Sequence, residues 1–310
     1  MRLPSWIRQH IAALRALLVL TVVTGIVYPL AALAVAQLPG LRDNAQGSIV
    51  EKNGRAVGSK IIGQSFTDAD GKALKQYFQS RPSAARDGYD PTSTSASNLG
   101  PEDIVDDLPT NPARKAEEMA ADEPTATDSL LTQVCARSTA VGQLEGVDGA
   151  RPFCTPGSVG AVLSVFGPRD AAGEVTQPTR VVSVNEQCGT PAGNRPFLRT
   201  YRGVTVECAR ADADYRAGTI VPIQGSAPAA SRVPADAVTA GGSGLDPQIS
   251  PANARLQAKR IAQARGVPVG QVLQMIKENE TGRALGFIGE PGVNVLQLNL
   301  ALDERYPFRG

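Results

Sequence analysis

The hydrophobic pattern of the chain begins with one long apolar run, "ALLVLTVVTGIVYPLAALAVAQLPGL" (residues 16–41), which contains no charged residue. About 20 apolar residues cross a bilayer as a helix, and a proline such as Pro29 is tolerated there. We therefore predict a transmembrane helix over residues 16–38. A cleaved signal peptide ending in "AVA" (residues 34–36) is the alternative, but the run exceeds the usual apolar core of about 7–15 residues.

Short runs of strand-forming residues follow the apolar segment. "SIVEKNGRAVGSKIIGQSF" (residues 48–66) predicts a hairpin, because Asn53-Gly54 is a favoured two-residue turn between strands. Four later runs lie between glycines and prolines: "GAVLSVFG", "TRVVSVNEQC", "RTYRGVTVECAR" and "GTIVPIQG". They predict a small antiparallel β module within residues 102–232.

The last third of the chain has a helical pattern. Ser250 is a suitable N-cap, Pro251 suits the first helical position and Gly266 suits the stop. A second helix has one apolar face that we expect to lie on the core, formed by Val269, Val272, Leu273 and Ile276.

The final apolar segment can be read in two ways. In "GVNVLQLNLALD", leucines alternate at positions 296, 298, 300 and 302, which predicts a strand; a buried helix capped by Asn294 remains open. The whole pattern predicts an α+β fold, with a single N-terminal transmembrane helix followed by a soluble α+β domain that carries an inserted β-rich module.

Composition excludes several functions. The chain has 31 basic and 30 acidic residues and 5% aromatic residues, so it lacks the basic surface of a nucleic-acid-binding protein. Its one histidine, His10, precedes the apolar run. A Ser/His/Asp or Cys/His catalytic centre and a histidine zinc site are therefore excluded from the rest of the chain. We predict no catalytic residue and no metal site.

Charges around the apolar run predict its orientation. Arg2, Arg8 and Arg15 precede it, and no acidic residue occurs before Asp43. By the positive-inside rule, residues 1–15 form a cytoplasmic tail of a single-pass protein in the bacterial inner membrane. The soluble domain is then extracytoplasmic.

The cysteines agree with an exported domain. Four occur within one central stretch and none forms a C-x-x-C motif: Cys135, Cys154, Cys188 and Cys208. An even number on the oxidising side of a membrane indicates two disulfides, for which three pairings exist. We favour Cys135–Cys154 with Cys188–Cys208, and buried free thiols are the alternative.

Two glycine-containing loops are candidate phosphate sites. "GSKIIGQS" (residues 58–65) has the glycine spacing of a Walker A loop, but Gln64 stands where the lysine is needed. "GGSGLDP" (residues 241–247) runs into a helix start, where anions can bind. Its first following basic residue is Arg255, five residues past the cap. The residues alone favour a structural turn, with anion binding as the alternative.

A family resemblance is carried by seven segments in order: "TVVTGIVYPL", "GSKIIGQSF", "YFQSRPSA", "SNLGP", "DAVTAGGSGLDPQISP", "QAKRIAQARG" and "GEPGVNVLQLNLALD". They resemble the KdpC family, the C subunit of the potassium-transporting P-type ATPase. The resemblance covers residues 10–101 and 233–303. It implies a family domain formed by residues 42–101 and 233–310, interrupted by an insertion over residues 102–232.

The resemblance implies a non-catalytic accessory subunit. Its partners would be an ATP-hydrolysing subunit, a potassium-channel-like subunit and a small membrane subunit. The family is described as a catalytic chaperone that raises ATP affinity, which implies nucleotide contact by the loop Ser243, Gly244, Leu245, Asp246 and Pro247. ATP would act through the complex, with no covalently bound cofactor. An extracytoplasmic cap on the channel-like subunit, without nucleotide contact, is the alternative.

The shared segments also supply candidate partner-facing residues: Gln64, Arg81, Asn98 and Asn299. The insertion is expected to be a disulfide-stapled β module, so that deletion of residues 130–225 leaves assembly intact. A remote alternative from another class is an exported hydrolase that uses paired carboxylates. Such an enzyme would purify alone and active.

Overall fold

The computed structural model describes residues 4–84, 100–121, 124–187, 195–211 and 213–308. The candidate residues Asn98 and Cys188 lie outside these described ranges. The chain divides into two compact units, Met1–Ile62 and Gly63–Gly310.

The first unit begins with a continuous helical segment, Ser5–Ala36. It consists of α1 (Ser5–Val22), a π-helical turn (Val23–Val27) and α2 (Tyr28–Ala36). Among the described residues it is the one helix long and apolar enough to cross a membrane. The π turn lies just before Pro29, which has no N–H for the helical ladder. The helix also includes residues 5–15, which were expected to form a tail.

A short helix and a hairpin complete the first unit. Helix α3 (Arg42–Ala45) leads into strands β1 (Ile49–Lys52) and β2 (Arg55–Ser59), which pair antiparallel. The turn residues Asn53 and Gly54 have φ angles of 54° and 73°. Two central residues with positive φ are the mark of a type I′ turn, so the predicted hairpin is present.

The second unit contains a five-stranded sheet within residues 102–232. A 3-10 turn (Pro112–Arg114), helix α4 (Lys115–Ala120) and helix α5 (Leu130–Glu145) precede it. Its strands are β3 (Val162–Phe166), β4 (Arg180–Gln187), β5 (Thr200–Tyr201), β6 (Val204–Ala209) and β7 (Thr219–Pro222), in the order β5-β6-β4-β3-β7. Strands β4 and β6 pair parallel, so the expected purely antiparallel module is wrong: the sheet is mixed.

Side chains alternate between two buried faces of this sheet. Val162, Val182 and Val184 pack with Tyr215 on one face. The opposite face carries a second cluster, which includes Leu163, Val165, Val181 and Val206. Since successive residues of a strand point to opposite faces, β3 and β4 contribute to both clusters. The sheet is therefore covered on both sides.

Helix α5 is tied to the loop before the sheet by a disulfide. Cys135 on α5 bonds Cys154, with their Cα atoms 5.5 Å apart. This is one of the two pairings favoured from the sequence. Cys208 is disulfide-bonded as well.

Residues 233–308 carry a helical layer beside a small sheet. Strands β8 (Gln248–Ile249), β9 (Glu280–Thr281) and β10 (Gly292–Asn294) lie in the order β8-β10-β9. Helices α6 (Pro251–Arg265), α7 (Val269–Glu278) and α8 (Val295–Arg305) surround one core. Its fully buried side chains include Phe78, Ile261, Ile276, Leu298 and Leu302.

The predicted helix ends are present on α6, but two other expectations need correction. Ser250 caps α6, and Gly266 ends it with a φ angle of 65°. The expected strand over the final leucines is wrong, because that segment is α8, capped by Asn294. On α7, Val272 and Ile276 are buried, whereas Val269 and Leu273 of the same predicted face are 45% and 40% exposed.

Candidate functional site

The glycine-serine loop, residues 239–247, is anchored to the segment around residue 82. The Gly241 N–H donates to the carbonyl of Pro82 at 2.9 Å, and the Ala84 N–H donates to the carbonyl of Gly241 at 3.0 Å. At the other end of the loop, the Val295 N–H donates to the carbonyl of Pro247 at 3.0 Å. The loop is therefore built into the fold at both ends.

The backbone of Gly63 also lies close to this loop. Its N–H donates to the carbonyl of Leu245 at 3.1 Å. A Cβ atom at position 63 would overlap the carbonyl of Asp246 and lie 3.1 Å from that of Gly244. Only glycine fits this position without moving the loop.

Arg81 and Asp246, two candidates from the sequence, are brought together. Arg81 Nη1 lies 2.7 Å from Asp246 Oδ2, and Arg81 Nη2 donates to the carbonyl of Thr239 at 3.3 Å. The two side chains are 29% and 51% exposed, so the pair contributes little stability but sets the loop's geometry. The Asp246 carboxylate therefore already occupies the Arg81 guanidinium, which is the cation that a bound anion would need.

The helix start beyond the loop is already occupied by a carboxylate. Asp236 Oδ2 accepts from the Ser250 N–H at 2.7 Å, and its Oδ1 accepts from Ser250 Oγ at 2.8 Å. Asn253 Nδ2 also donates to Asp236, at 3.2 Å. Arg255, the first basic residue of α6, pairs with Glu280 at 3.1 Å. A phosphate here would have to displace this carboxylate from Ser250, and the Asn253 N–H of the first turn already donates to Ser250 Oγ at 3.1 Å.

The two remaining loop candidates, Gln64 and Ser243, lie in packed parts of the second unit. The carbonyl of Gln64 accepts a hydrogen bond from Ser80 Oγ at 2.9 Å. Gln64 and Ser243 are both partly buried.

Asn299 is buried inside the second unit. It lies on α8 and is 2% exposed. Its Oδ1 accepts from the Phe78 N–H at 2.8 Å, and its Nδ2 donates to the Phe78 carbonyl at 3.0 Å. Asn299 is therefore not the partner-facing loop position that the sequence suggested. Its side-chain amide bonds the N–H and the carbonyl of Phe78, which lies in a buried segment without a neighbouring strand among the described residues.

Three α6 side chains that sequence reasoning missed hold the same irregular segment. Gln257 bonds both the N–H and the carbonyl of Gln79, at 2.7 and 3.1 Å. Arg260 Nη1 donates to the carbonyl of Lys75 at 2.6 Å. Arg265 Nε donates to the carbonyl of Gln76 at 2.9 Å. The "QAKRIAQARG" motif was visible in the sequence, but nothing in it indicated which backbone these side chains would hold.

A buried ion pair joins this motif to the inserted region. Arg260 Nε lies 2.9 Å from Glu145 Oε1 of α5, and the side chains are 6% and 2% exposed. Val134, Val141 and Val147 also pack against a buried cluster near residues 233–238. Helix α5 is thus fixed to the family domain, and a deletion that starts at residue 130 would remove both contacts.

Across the described residues, no group of three or more His, Cys, Asp or Glu side chains is arranged to hold a metal ion. The site holds loops in place, because Arg81, Asp236 and Asp246 bond to one another's segments and to backbone atoms. Arg81 Nε is buried without a hydrogen-bond partner among the described residues.

Replacing Gly63 with alanine should displace the glycine-serine loop, because the new methyl group overlaps the carbonyl of Asp246. We expect the free energy of unfolding to fall by about 2 kcal/mol, as measured by denaturant unfolding. Gly270→Ala is the control, since a Cβ at position 270 of α7 meets no atom within 4 Å. It should be neutral or slightly stabilising. Equal effects from both substitutions would contradict the close approach.

Comparison with known proteins gives one family. The model of the family described as "K+-transporting ATPase, c chain" (KdpC) matches residues 10–140 and 211–304. A Potassium-transporting ATPase KdpC subunit from Mycobacterium tuberculosis (strain ATCC 25618 / H37Rv) is 35% identical over 296 residues, or 96% of this chain and 98% of the relative. The subunit of the same name from Kineococcus radiotolerans is 34% identical over 98% of each chain. That from Beijerinckia indica is 32% identical over 97% of this chain and 96% of the relative.

The ranges that the family model matches differ from the expected limits of the insertion. The family model leaves residues 141–210 between its two matched parts, fewer than the expected insertion over 102–232. Alignments that cover 96–98% of this chain must also run through most of that region. The relatives therefore share it in length, and helix α5 begins inside the part that the family model matches.

Proposed function

Because the chain belongs to the KdpC family, and is therefore an accessory subunit of a K+-transporting ATPase, we propose that its soluble domain stabilises that assembly and raises the ATP affinity of the ATP-hydrolysing subunit indirectly. The indirect route runs through contacts with the partner subunits. The glycine-serine loop has a structural role in it and does not contact the nucleotide.

The observation that carries this proposal is the occupied helix start. Asp236 accepts from the N–H and the hydroxyl of Ser250, the cap residue of α6, and Asp246 neutralises Arg81. A triphosphate would meet two carboxylates at the place where the loop would have to bind it. Like charges at close range oppose binding, so direct contact with ATP is disfavoured electrostatically.

Two features that favour an extracytoplasmic domain support the same route. Cys135–Cys154 is a disulfide, which persists in oxidising compartments and is rare in the cytosol. The apolar helix Ser5–Ala36 has Arg8 and Arg15 in its first part, which favours a cytoplasmic N-terminus. A domain outside the membrane cannot reach cytoplasmic ATP. Its partners there would be the outer surfaces of the channel-like subunit and of the small membrane subunit.

The test measures on which side of the membrane the soluble domain lies. With an epitope tag after Gly310, protease added to intact spheroplasts should remove the tag. A second tag before Met1 should survive until the membrane is broken, which controls for leakage. Protection of the tag after Gly310 would place the domain inside the cell, and direct nucleotide contact by the loop would then replace our proposal.

A second readout separates direct from indirect action. In the purified complex, removal of this subunit should raise the KM for ATP. A photoreactive ATP analogue should label the ATP-hydrolysing subunit and leave this chain unlabelled. Specific labelling of this chain that excess ATP suppresses would contradict the indirect route.

A further inference from the structure

Among the described residues of the second unit, the most exposed large apolar side chains lie together on one turn. In the apolar tip (residues 283–289), Leu285 is 82% exposed, Phe287 72% and Ile288 52%. Scattered apolar residues are ordinary on a protein surface, but three large adjacent ones mark an interaction site.

The apolar tip is an ordered turn that is closed by its own backbone hydrogen bonds. Ala284 and Ile288 exchange backbone hydrogen bonds of 2.8 and 2.9 Å. At its base, β9 pairs with β10. Leu285 has a φ angle of 53°, which is uncommon for a residue with a Cβ atom. The hydrogen bonds hold the turn, and its side chains, in a fixed arrangement. Strained backbone that is held in this way is concentrated at functional positions.

The charge of the apolar tip indicates what it fits. Arg283 Nη2 lies 2.9 and 3.1 Å from the two carboxylate oxygens of Glu290, so the two charges at its base neutralise each other. Anionic lipid surfaces select clusters of lysine and arginine, which this turn does not carry. An uncharged apolar recess in a protein is the complementary surface.

The size of the apolar tip restricts the partner further. Three such side chains can bury roughly a few hundred Å². A stable interface between free proteins needs about 800 Å² on each side, so the tip alone would not hold a second copy or a soluble partner. It suffices as an anchor where a membrane helix already keeps two subunits close, because linkage makes the second contact intramolecular.

We propose that the apolar tip inserts into an uncharged apolar recess on another membrane subunit of the same transport assembly. This inference rests on the proposed function, since it requires that the chain assembles with partner subunits. Phe287 is the anchor, because it is the one aromatic side chain of the turn.

Photocrosslinking in the assembled complex tests the contact. Phe287→p-benzoylphenylalanine, introduced into the full chain and irradiated in native membranes, should crosslink to a membrane subunit of the complex. The control position is Asp70, whose side chain is 76% exposed on a different turn and should give no such product. Crosslinking to lipid, to a second copy or to nothing would overturn the proposal.

Co-purification separates this inference from the proposed function. We expect Phe287→Ser to reduce recovery of partner subunits at least tenfold, with an unchanged unfolding midpoint because the side chain is exposed. Val269→Ser, which alters another exposed apolar residue, should leave recovery unchanged. If the unaltered chain recovers no partners, the proposed function fails. If it recovers them and Phe287→Ser does so equally well, only the inference fails.

Discussion

Replacement of Arg260 with alanine is expected to lower the free energy of unfolding by about 3–5 kcal/mol. The substitution leaves the Glu145 carboxylate buried without its cation, and both side chains are almost fully buried in the intact pair. It also removes the guanidinium donor to the carbonyl of Lys75. Denaturant unfolding of the full chain in detergent measures the loss.

Arg255→Ala is the matched control on the same helix. Arg255 also pairs with a glutamate, Glu280, but its side chain is 56% exposed. An exposed pair contributes about 0–1 kcal/mol, so this substitution should have little effect. Similar losses from the two variants would show that burial of the Arg260 pair is not what matters.

The effect of Arg260→Ala should depend on pH. Burial raises the pKa of Glu145, and Arg260 opposes that rise by Coulomb attraction and hydrogen bonding. Without the cation, the pKa of Glu145 in the folded state should rise further. A carboxyl group with a raised folded pKa makes the protein less stable as pH increases through that pKa. The variant should therefore lose more stability at pH 8 than at pH 5, measured by unfolding at both pH values.

Removal of the Cys135–Cys154 disulfide is expected to lower the free energy of unfolding by about 3 kcal/mol. The bond closes a loop with a sequence separation of 19 and ties α5 to the approach to β3. Without it the unfolded chain gains conformational freedom. The double substitution Cys135→Ala with Cys154→Ala tests this, because alanine adds no polar group at position 135, which is 1% exposed.

The control for this variant uses reductant. Reductant breaks two disulfides in the unaltered chain, Cys135–Cys154 and that of Cys208, but only the latter in the double variant. It should therefore destabilise the unaltered chain more than the double variant. An unfolding midpoint that the double substitution leaves unchanged would contradict the prediction. Destabilisation by reductant would also fit a domain that folds in an oxidising compartment.

The inserted region shows which elements local sequence patterns predicted and which they missed. Its four β-like runs were recognised and all lie in the sheet. Helix α5 was missed, although Ser129 caps its start and Gly146 ends it with a φ angle of 67°. Those two signals could have been found in the sequence. The attachment of α5 to α6 could not, because Glu145 and Arg260 lie 115 residues apart.

The apolar residues of the C-terminal segment fit both the two-residue period of a strand and the 3.6-residue period of a helix. Leucines at alternate positions predict a strand, but Val295, Leu298, Asn299 and Leu302 also recur at helical spacing, and all four are buried on α8. The Asn294 cap was visible in the sequence. Tertiary contacts decided the outcome, since a helix here places Asn299 against the backbone of Phe78.

The sequence by itself determined the features that depend on neighbouring residues. These are the long apolar N-terminal helix, the Asn53-Gly54 hairpin, the caps of α6 and the family membership carried by ordered motifs. Only the tertiary structure decided the role of the glycine-serine loop and of Asn299. Those roles depend on which distant groups occupy the hydrogen-bonding positions, such as Asp236 at the start of α6 and Arg81 beside Asp246. Local backbone preferences are set within a few residues, whereas such contacts form only when segments far apart in the chain fold against each other.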